Sequence, residues 1–222
     1  MTKNYYLNEQ GQFIIKNYQK QKTFASFLPG IAGKSGIPVW AFYVNRGQGI
    51  ASFGSKDKDN AIMEFHPANK SYQNVSLKGF RTFIKIREDG SKNKVYEPFK
   101  DLDKNISTKM TIDIDSLKIE EENTELGLKT TVNYYILPNE NFGALVREVE
   151  IENTGENERN LEVLDGMPFL VPFGIGNDVL KNISQTISAW AEVEHFSEKT
   201  PFYKLRASAE DEAEVTKMTA GN

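Results

Sequence analysis

The chain has 222 residues, no cysteine and a formal net charge of −4. The lack of cysteine removes disulfides, thiolate catalysis and cysteine-held metal centres together. Lysines and carboxylates are interspersed, without the basic stripe of a nucleic-acid binder. Aromatic residues reach 11%, enough large side chains for a substantial core and a bias toward pleated, half-buried surfaces.

In chain order the sequence reads as short period-two runs separated by turn residues. The stretch Asn8, Glu9, Gln10, Gly11 is hairpin-like and leads into Phe13, Ile14 and Ile15. Residues 26–40 then carry Pro29, Gly30, Gly33, Gly36 and Pro38. That density of Gly and Pro forbids a helix and predicts a structured loop. Residues 39–44 are aromatic and β-branched and predict a strand, turned at Asn45, Arg46 and Gly47 into a second strand over 50–53. A further apolar run lies at 61–65, and runs at 80–86, 108–114, 117–120, 126–134, 145–152 and 159–165 alternate apolar with polar positions. Such alternation means strands with one wet and one buried face, and Asn153, Thr154 and Gly155 turn the chain between the last two.

Residues 177–193 break this period. Val179, Leu180, Ile183, Ile187, Trp190 and Ala191 fall at helical intervals, with Asn177 or Asp178 as cap. An amphipathic helix is expected there, and the Ile- and Thr-containing composition leaves a strand as the alternative. New strands begin at 202–207 and 213–216, and the last of them reads as cut off mid-fold. The fold class expected is all-β: one antiparallel β-sandwich domain over 1–222, with one helix packed near its C-terminal end. The first residues hold no apolar segment followed by small residues, and no apolar run reaches the roughly 18 residues a membrane helix needs. A cytoplasmic protein with no membrane partner is the expectation.

Few motifs carry chemistry. Gly47, Gly49 and Gly54 lack the strand–glycine–helix context of a dinucleotide loop and read as turns. Asp57, Lys58, Asp59 and Asn60 begin like a calcium loop, but the position of the closing Glu is Ala68. His66 and His195 are the only histidines and have no metal-ligand spacing. No metal site, cofactor or catalytic residue is assigned. Glu148, Glu150 and Glu152 occupy the polar phase of a strand and read as a solvated sheet face. The most unusual stretch is 40–48, where rings alternate with planar polar groups. Sugars present apolar C–H faces and many hydroxyls, so Trp40, Tyr43, Asn45, Arg46 and Gln48 are the candidate substrate-binding residues. The Arg46 fork also suits a phosphate. The equally weighted alternative is a core strand ended by a polar turn, with Trp40, Phe42 and Val44 on one face and Ala41, Tyr43 and Asn45 on the other.

The blocks at residues 27–54 (FLPGIAGKSGIPVWAFYVNRGQGIASFG), 61–73 (AIMEFHPANKSYQ) and 79–85 (GFRTFIK), with 144–168 in similar style, resemble the N-terminal region of glycoside hydrolase family 94 phosphorylases. Within that family the resemblance is to the cellobiose and, more closely, the 1,2-β-oligoglucan phosphorylases. It implies a β-supersandwich followed by a helical linker, an (α/α)6 barrel and a small β-domain. It also implies inverting phosphorolysis of a β-glucan, with inorganic phosphate as co-substrate and α-glucose 1-phosphate as product. The catalytic Asp and main phosphate ligands of such enzymes lie in the barrel, which these residues do not include. The implied role here is therefore non-catalytic: support of the barrel, shaping of the substrate entrance and homodimer contact. Residues 29–38 and 45–48 are the candidates for a loop reaching a neighbouring active site.

Overall fold

The computed structural model describes residues 4–30, 32–87, 93–172, 174–198, 200, 202–205 and 218–221. Strands β1 (Tyr5–Leu7), β2 (Phe13–Lys16), β3 (Ala25–Leu28), β4 (Val39–Val44), β5 (Ile50–Ser55) and β6 (Ala61–Met63) come first. Helix α1 (Ala68–Lys78) precedes β7 (Arg81–Arg87), β8 (Lys94–Tyr96), β9 (Ile106–Ile112), β10 (Ser116–Asn123), β11 (Leu128–Ile136), β12 (Leu145–Asn153) and β13 (Asn160–Gly166). Helix α2 (Asn177–Trp190) leads to β14 (Ala191–Glu194), β15 (Phe202–Leu205) and β16 (Met218–Gly221). Two single-turn 3-10 helices stand at Tyr18–Lys20 and Lys58–Asn60.

The strands form antiparallel sheets. A six-stranded sheet has the order β1-β2-β9-β10-β11-β12, a four-stranded one β3-β4-β5-β6, and two three-stranded ones β13-β7-β8 and β14-β15-β16. The expected all-β sandwich is the architecture found. Strict alternation in β10 and β11 puts Leu117, Ile119, Val132 and Tyr134 on one face of the large sheet, all fully buried. That face packs against Ala41, Tyr43, Ile50 and Phe53 of the four-stranded sheet. Its other end, with Leu128 and Ile151, packs against Ile84, Ile86 and Tyr96 of the β13-β7-β8 sheet. One long sheet thus backs two smaller ones, each covering its own apolar cluster.

Three differences from the sequence expectations have physical causes. Strands β12 and β13 do not form a hairpin with each other: β12 pairs with β11, and β13 with β7. The turn at 153–159 carries the chain from one sheet to another. Helix α1 was not expected, because its polar sequence hides a narrow stripe of Ala68, Tyr72 and Val75. This stripe packs on Phe42 and Val44, covering the outer face of β4. Helix α2 is present over 177–190, interrupted at Ile183, whose φ of −135° is not helical, while 191–193, expected to continue it, pair with β15 as part of β14. Its apolar face closes on Val171 and Ile175 in a satellite cluster, and the Asn177 N–H donates to Asp59 Oδ1 at 2.9 Å. The expected strand at 202–207 is seen over 202–205. The run at 213–216 lies outside the described residues.

Candidate functional site

The candidate stretch is built around β4 and the turn that follows it. Apolar residues at every position of β4 bury it on both faces. Ala41 and Tyr43 enter the main core, and Phe42 and Val44 lie under α1. The turn closes through Val44 N–H to Gly49 C=O (2.9 Å) and Gly49 N–H to Arg46 C=O (3.0 Å). Gly47 and Gly49 have φ of 50° and 84°, a region that glycine enters without steric cost. Both sides of Gly47 are gripped: the Tyr18 hydroxyl donates to its C=O, and its N–H donates to Gln19 Oε1 at 3.0 Å. Burial pushes the Tyr18 hydroxyl well above its ordinary pKa, and the Glu121 carboxylate adds to this.

The five candidate residues fall in three environments. Trp40 is half-buried on the outer side of its sheet, its indole N–H donating to Asp57 C=O at 3.1 Å. Tyr43 is 3% exposed in the core, where burial raises its pKa and a hydrogen bond with Ser26 opposes the rise. Asn45 is fully buried. Its Nδ2 donates to the carbonyls of Tyr18 (3.0 Å) and Lys22 (2.9 Å), and its Oδ1 accepts from Phe24 N–H (2.8 Å). Arg46 donates to the carbonyls of Asn45 (2.6 Å) and Gln21 (3.0 Å). Gln48 is 3% exposed, with Nε2 donating to Thr82 Oγ1 (3.0 Å) and Oε1 accepting from Arg147 (2.6 Å). Asn45 and Arg46 share the Tyr18 carbonyl; the five do not converge on one cleft.

Two constellations were not expected. The first is aromatic. Phe27 on β3 lies opposite Phe42 on β4, with ring centroids 5.0 Å apart. Phe65 stacks on Phe27 at 6.3 Å with an interplanar angle of 15°, and it meets Trp40 edge-on at 6.0 Å. Phe27 is 51% exposed, so this cluster presents a ring to solvent.

The second is ionic. The Arg147 guanidinium pairs with Asp165 through two nitrogens, and also donates to Gln48 Oε1 and Thr82 Oγ1. Its flat face lies 4.9 Å from the Phe80 ring centroid. Arg147 stands at the inward phase of β12, between Leu145 and Val149. It therefore links the large sheet to β7 and β13 of one small sheet and to the β4–β5 turn of the other. A charge at an apolar phase was the signal available in the sequence. Asp165 borders a cleft of about 200 Å³ that also holds Arg81, Phe83, Leu164 and Met167.

A cleft of about 320 Å³ lies on the outer face of the six-stranded sheet. Two of its lysines, Lys109 and Lys129, approach Glu120 at 2.6 and 3.7 Å, so their charge is balanced locally. The Glu148, Glu150 and Glu152 side chains are exposed, as alternation implied. Among the described residues no group of three or more His, Asp or Glu is arranged to hold a metal ion. No described helix is long and apolar enough to cross a membrane. In comparisons with known proteins, no family model matches the chain and no curated protein matches it.

Proposed function

We propose that this chain is the non-catalytic β-sandwich of an inverting glycoside phosphorylase acting on β-glucans, with β-1,2-gluco-oligosaccharides as the substrate class. The resemblance of residues 27–54 motivates the reading, and the aromatic face of Phe27, Trp40 and Phe65 is the structural observation that supports it. A half-exposed ring on a rigid strand pair suits stacking against the C–H face of a sugar. In this reading a helical barrel of the same polypeptide carries the chemistry in a homodimeric, cytoplasmic enzyme. There an acid protonates the leaving oxygen while inorganic phosphate attacks the anomeric carbon from the opposite side. Of the five candidate residues, Trp40 is the one that contacts sugar. Tyr43, Asn45, Arg46 and Gln48 hold the strand and turn beneath it.

The same exposed ring favours a second reading, a self-standing carbohydrate-binding module. Calorimetric titration of the 222-residue chain with β-1,2-gluco-oligosaccharides separates the two. Binding at millimolar ligand that is lost in F27A supports a module. No binding by the chain, together with phosphorolysis by a longer polypeptide containing it, supports the scaffold. Phosphorolysis by the chain itself overturns both readings.

A further inference from the structure

Glu121 lies where a charge is least expected. It follows Leu117 and Ile119 at the inward phase of β10 and is 2% exposed. Its cross-strand neighbours are Thr108 on β9 and Thr130 on β11, both buried. This polar row crosses the inner face of the large sheet between its two apolar clusters. The carboxylate grips the segment that crosses above the row. The Tyr96 hydroxyl, at the end of β8, donates to Oε1, and the Phe99 N–H donates to Oε2 at 2.7 Å.

What it grips is strained. Phe99 has a φ of +65°, a region that bulky side chains seldom occupy. The conformation is held by the Glu121 bond, by Gln19 Nε2 donating to the Phe99 carbonyl at 3.0 Å, and by burial of the ring to 1% exposure. Such an outlier persists only where its surroundings over-determine it. Pro98, Phe99 and Lys100 also line a narrow cleft together with Gly47, Gln48 and Phe80. Displacing them would uncover Gln48 and, through it, the Arg147 cluster.

We propose that Glu121 is a proton-controlled latch: its protonation state sets how firmly residues 94–101 are held against the six-stranded sheet, and so whether the cleft beside Gln48 is closed. The groups facing it are Tyr96 from β8, Tyr18 from the 3-10 turn and Asp101 at the end of the segment. Arg46 and Tyr134 act on Tyr18. The other charges of the segment are paired: Glu97 with Arg81 at 2.6 Å and with Lys100 at 3.2 Å. No ion pair to Glu121 occurs among the described residues, so its ionisation in the closed form is uncompensated by a cation.

Burial, opposed by the Tyr96 and Phe99 hydrogen bonds and reinforced by Asp101, pushes the Glu121 carboxyl up to about 7 from its ordinary value of 4.5. In an open form, where water reaches the group, the ordinary value returns. The closed form therefore binds the proton more tightly and is favoured in acid. Between the two values opening becomes easier by roughly ten-fold per pH unit, and it levels off above the upper one.

Amide hydrogen exchange of the 222-residue chain, corrected for intrinsic exchange, tests this at Phe99. Protection is expected to fall by roughly forty-fold between about pH 5 and pH 7, and to be independent of pH in E121Q. Equal wild-type protection at both pH values, or the same slope in E121Q, overturns the latch. Should E121Q fail to fold, a carbon-13 carboxyl titration of the wild type decides. A Glu121 midpoint near neutrality supports the proposal, and one in the ordinary carboxylate range overturns it.

Discussion

Arg147, on the edge strand of the six-stranded sheet, and Asp165, on the edge strand of the β13-β7-β8 sheet, form a two-point ion pair between sheets that share no backbone ladder. The Arg147 side chain is 8% exposed and that of Asp165 30%. Burial works against the guanidinium charge, yet the nearby Tyr134 hydroxyl and the Asp165 carboxylate hold its pKa above the ordinary value. The pair acts together with Gln48 and Thr82, so the three sheets meet at one cation.

Removing that cation strands its partners. R147A leaves Gln48 Oε1 without its donor and Asp165 with the Thr82 hydroxyl alone, and is expected to cost about 2 kcal/mol, because Gln48 is buried while the Asp165 carboxylate is partly reached by water. The exposed fork of Lys85 and Arg87 on Glu162 is the contrast. E162Q is expected to cost about 0.5 kcal/mol or less, the usual size for solvated pairs. Urea denaturation of both variants checks the order. Equal midpoints would show that the Arg147 cluster does not join the sheets.

Asn45 is expected to behave as a structural residue and not as a sugar ligand. N45A forfeits three hydrogen bonds, one of them to the buried Tyr18 carbonyl, at a cost of roughly 2 kcal/mol. F27A truncates a half-exposed ring and is expected to shift stability by less than about 1 kcal/mol. Thermal melts of the two variants make the comparison. A mild N45A with a severe F27A would reverse the roles assigned here.

Glu121 also gives the whole fold a pH dependence. Its folded value of about 7 lies above the ordinary 4.5, so the native state holds the proton more tightly than the unfolded chain. The stabilisation is fully present below the unfolded value and is lost as pH rises through the folded one, for a total of roughly 3 kcal/mol. Glu97 works in the opposite sense. Its pairing with Arg81 and Lys100 outweighs burial and lowers its pKa, giving stability that is lost in acid. The wild-type stability minus that of E121Q, from denaturant titrations between about pH 4 and 8, isolates the Glu121 contribution. It should decline across that window, and a flat difference would contradict the assignment.

The strands were legible because their determinant is local. A half-buried strand must alternate, and β7, β9, β10, β11 and β12 do. The two faces of β4 followed from the same rule: Ala41 and Tyr43 point one way, Phe42 and Val44 the other. Helix α1 escaped because four apolar residues among eleven, one of them the exposed Leu77, leave little pattern, and its amphipathicity has meaning only once Phe42 and Val44 need a cover.

The side chains of the candidate stretch were harder to place. Asn45, Arg46 and Gln48 have the chemistry of ligand contacts. Whether such groups face a ligand or the protein's own carbonyls depends on what folds over them, and here Tyr18, Gln21, Lys22 and Arg147 do. Arg147 and Glu121 sit at apolar phases, which announces a buried charge without naming its partner. The sequence by itself determined the alternating strands and their faces, because each is a property of neighbouring residues; β3, inside the expected loop, and β8 carry no such pattern, and β14 overlaps the expected helix. Tertiary structure alone decided that Arg147 finds Asp165 across two sheets, that Glu121 finds Tyr96 and Phe99, and that Phe27 joins Trp40 and Phe65. Each of these contacts depends on which strands pair and which sheets stack, and that is settled by burial summed over the whole chain.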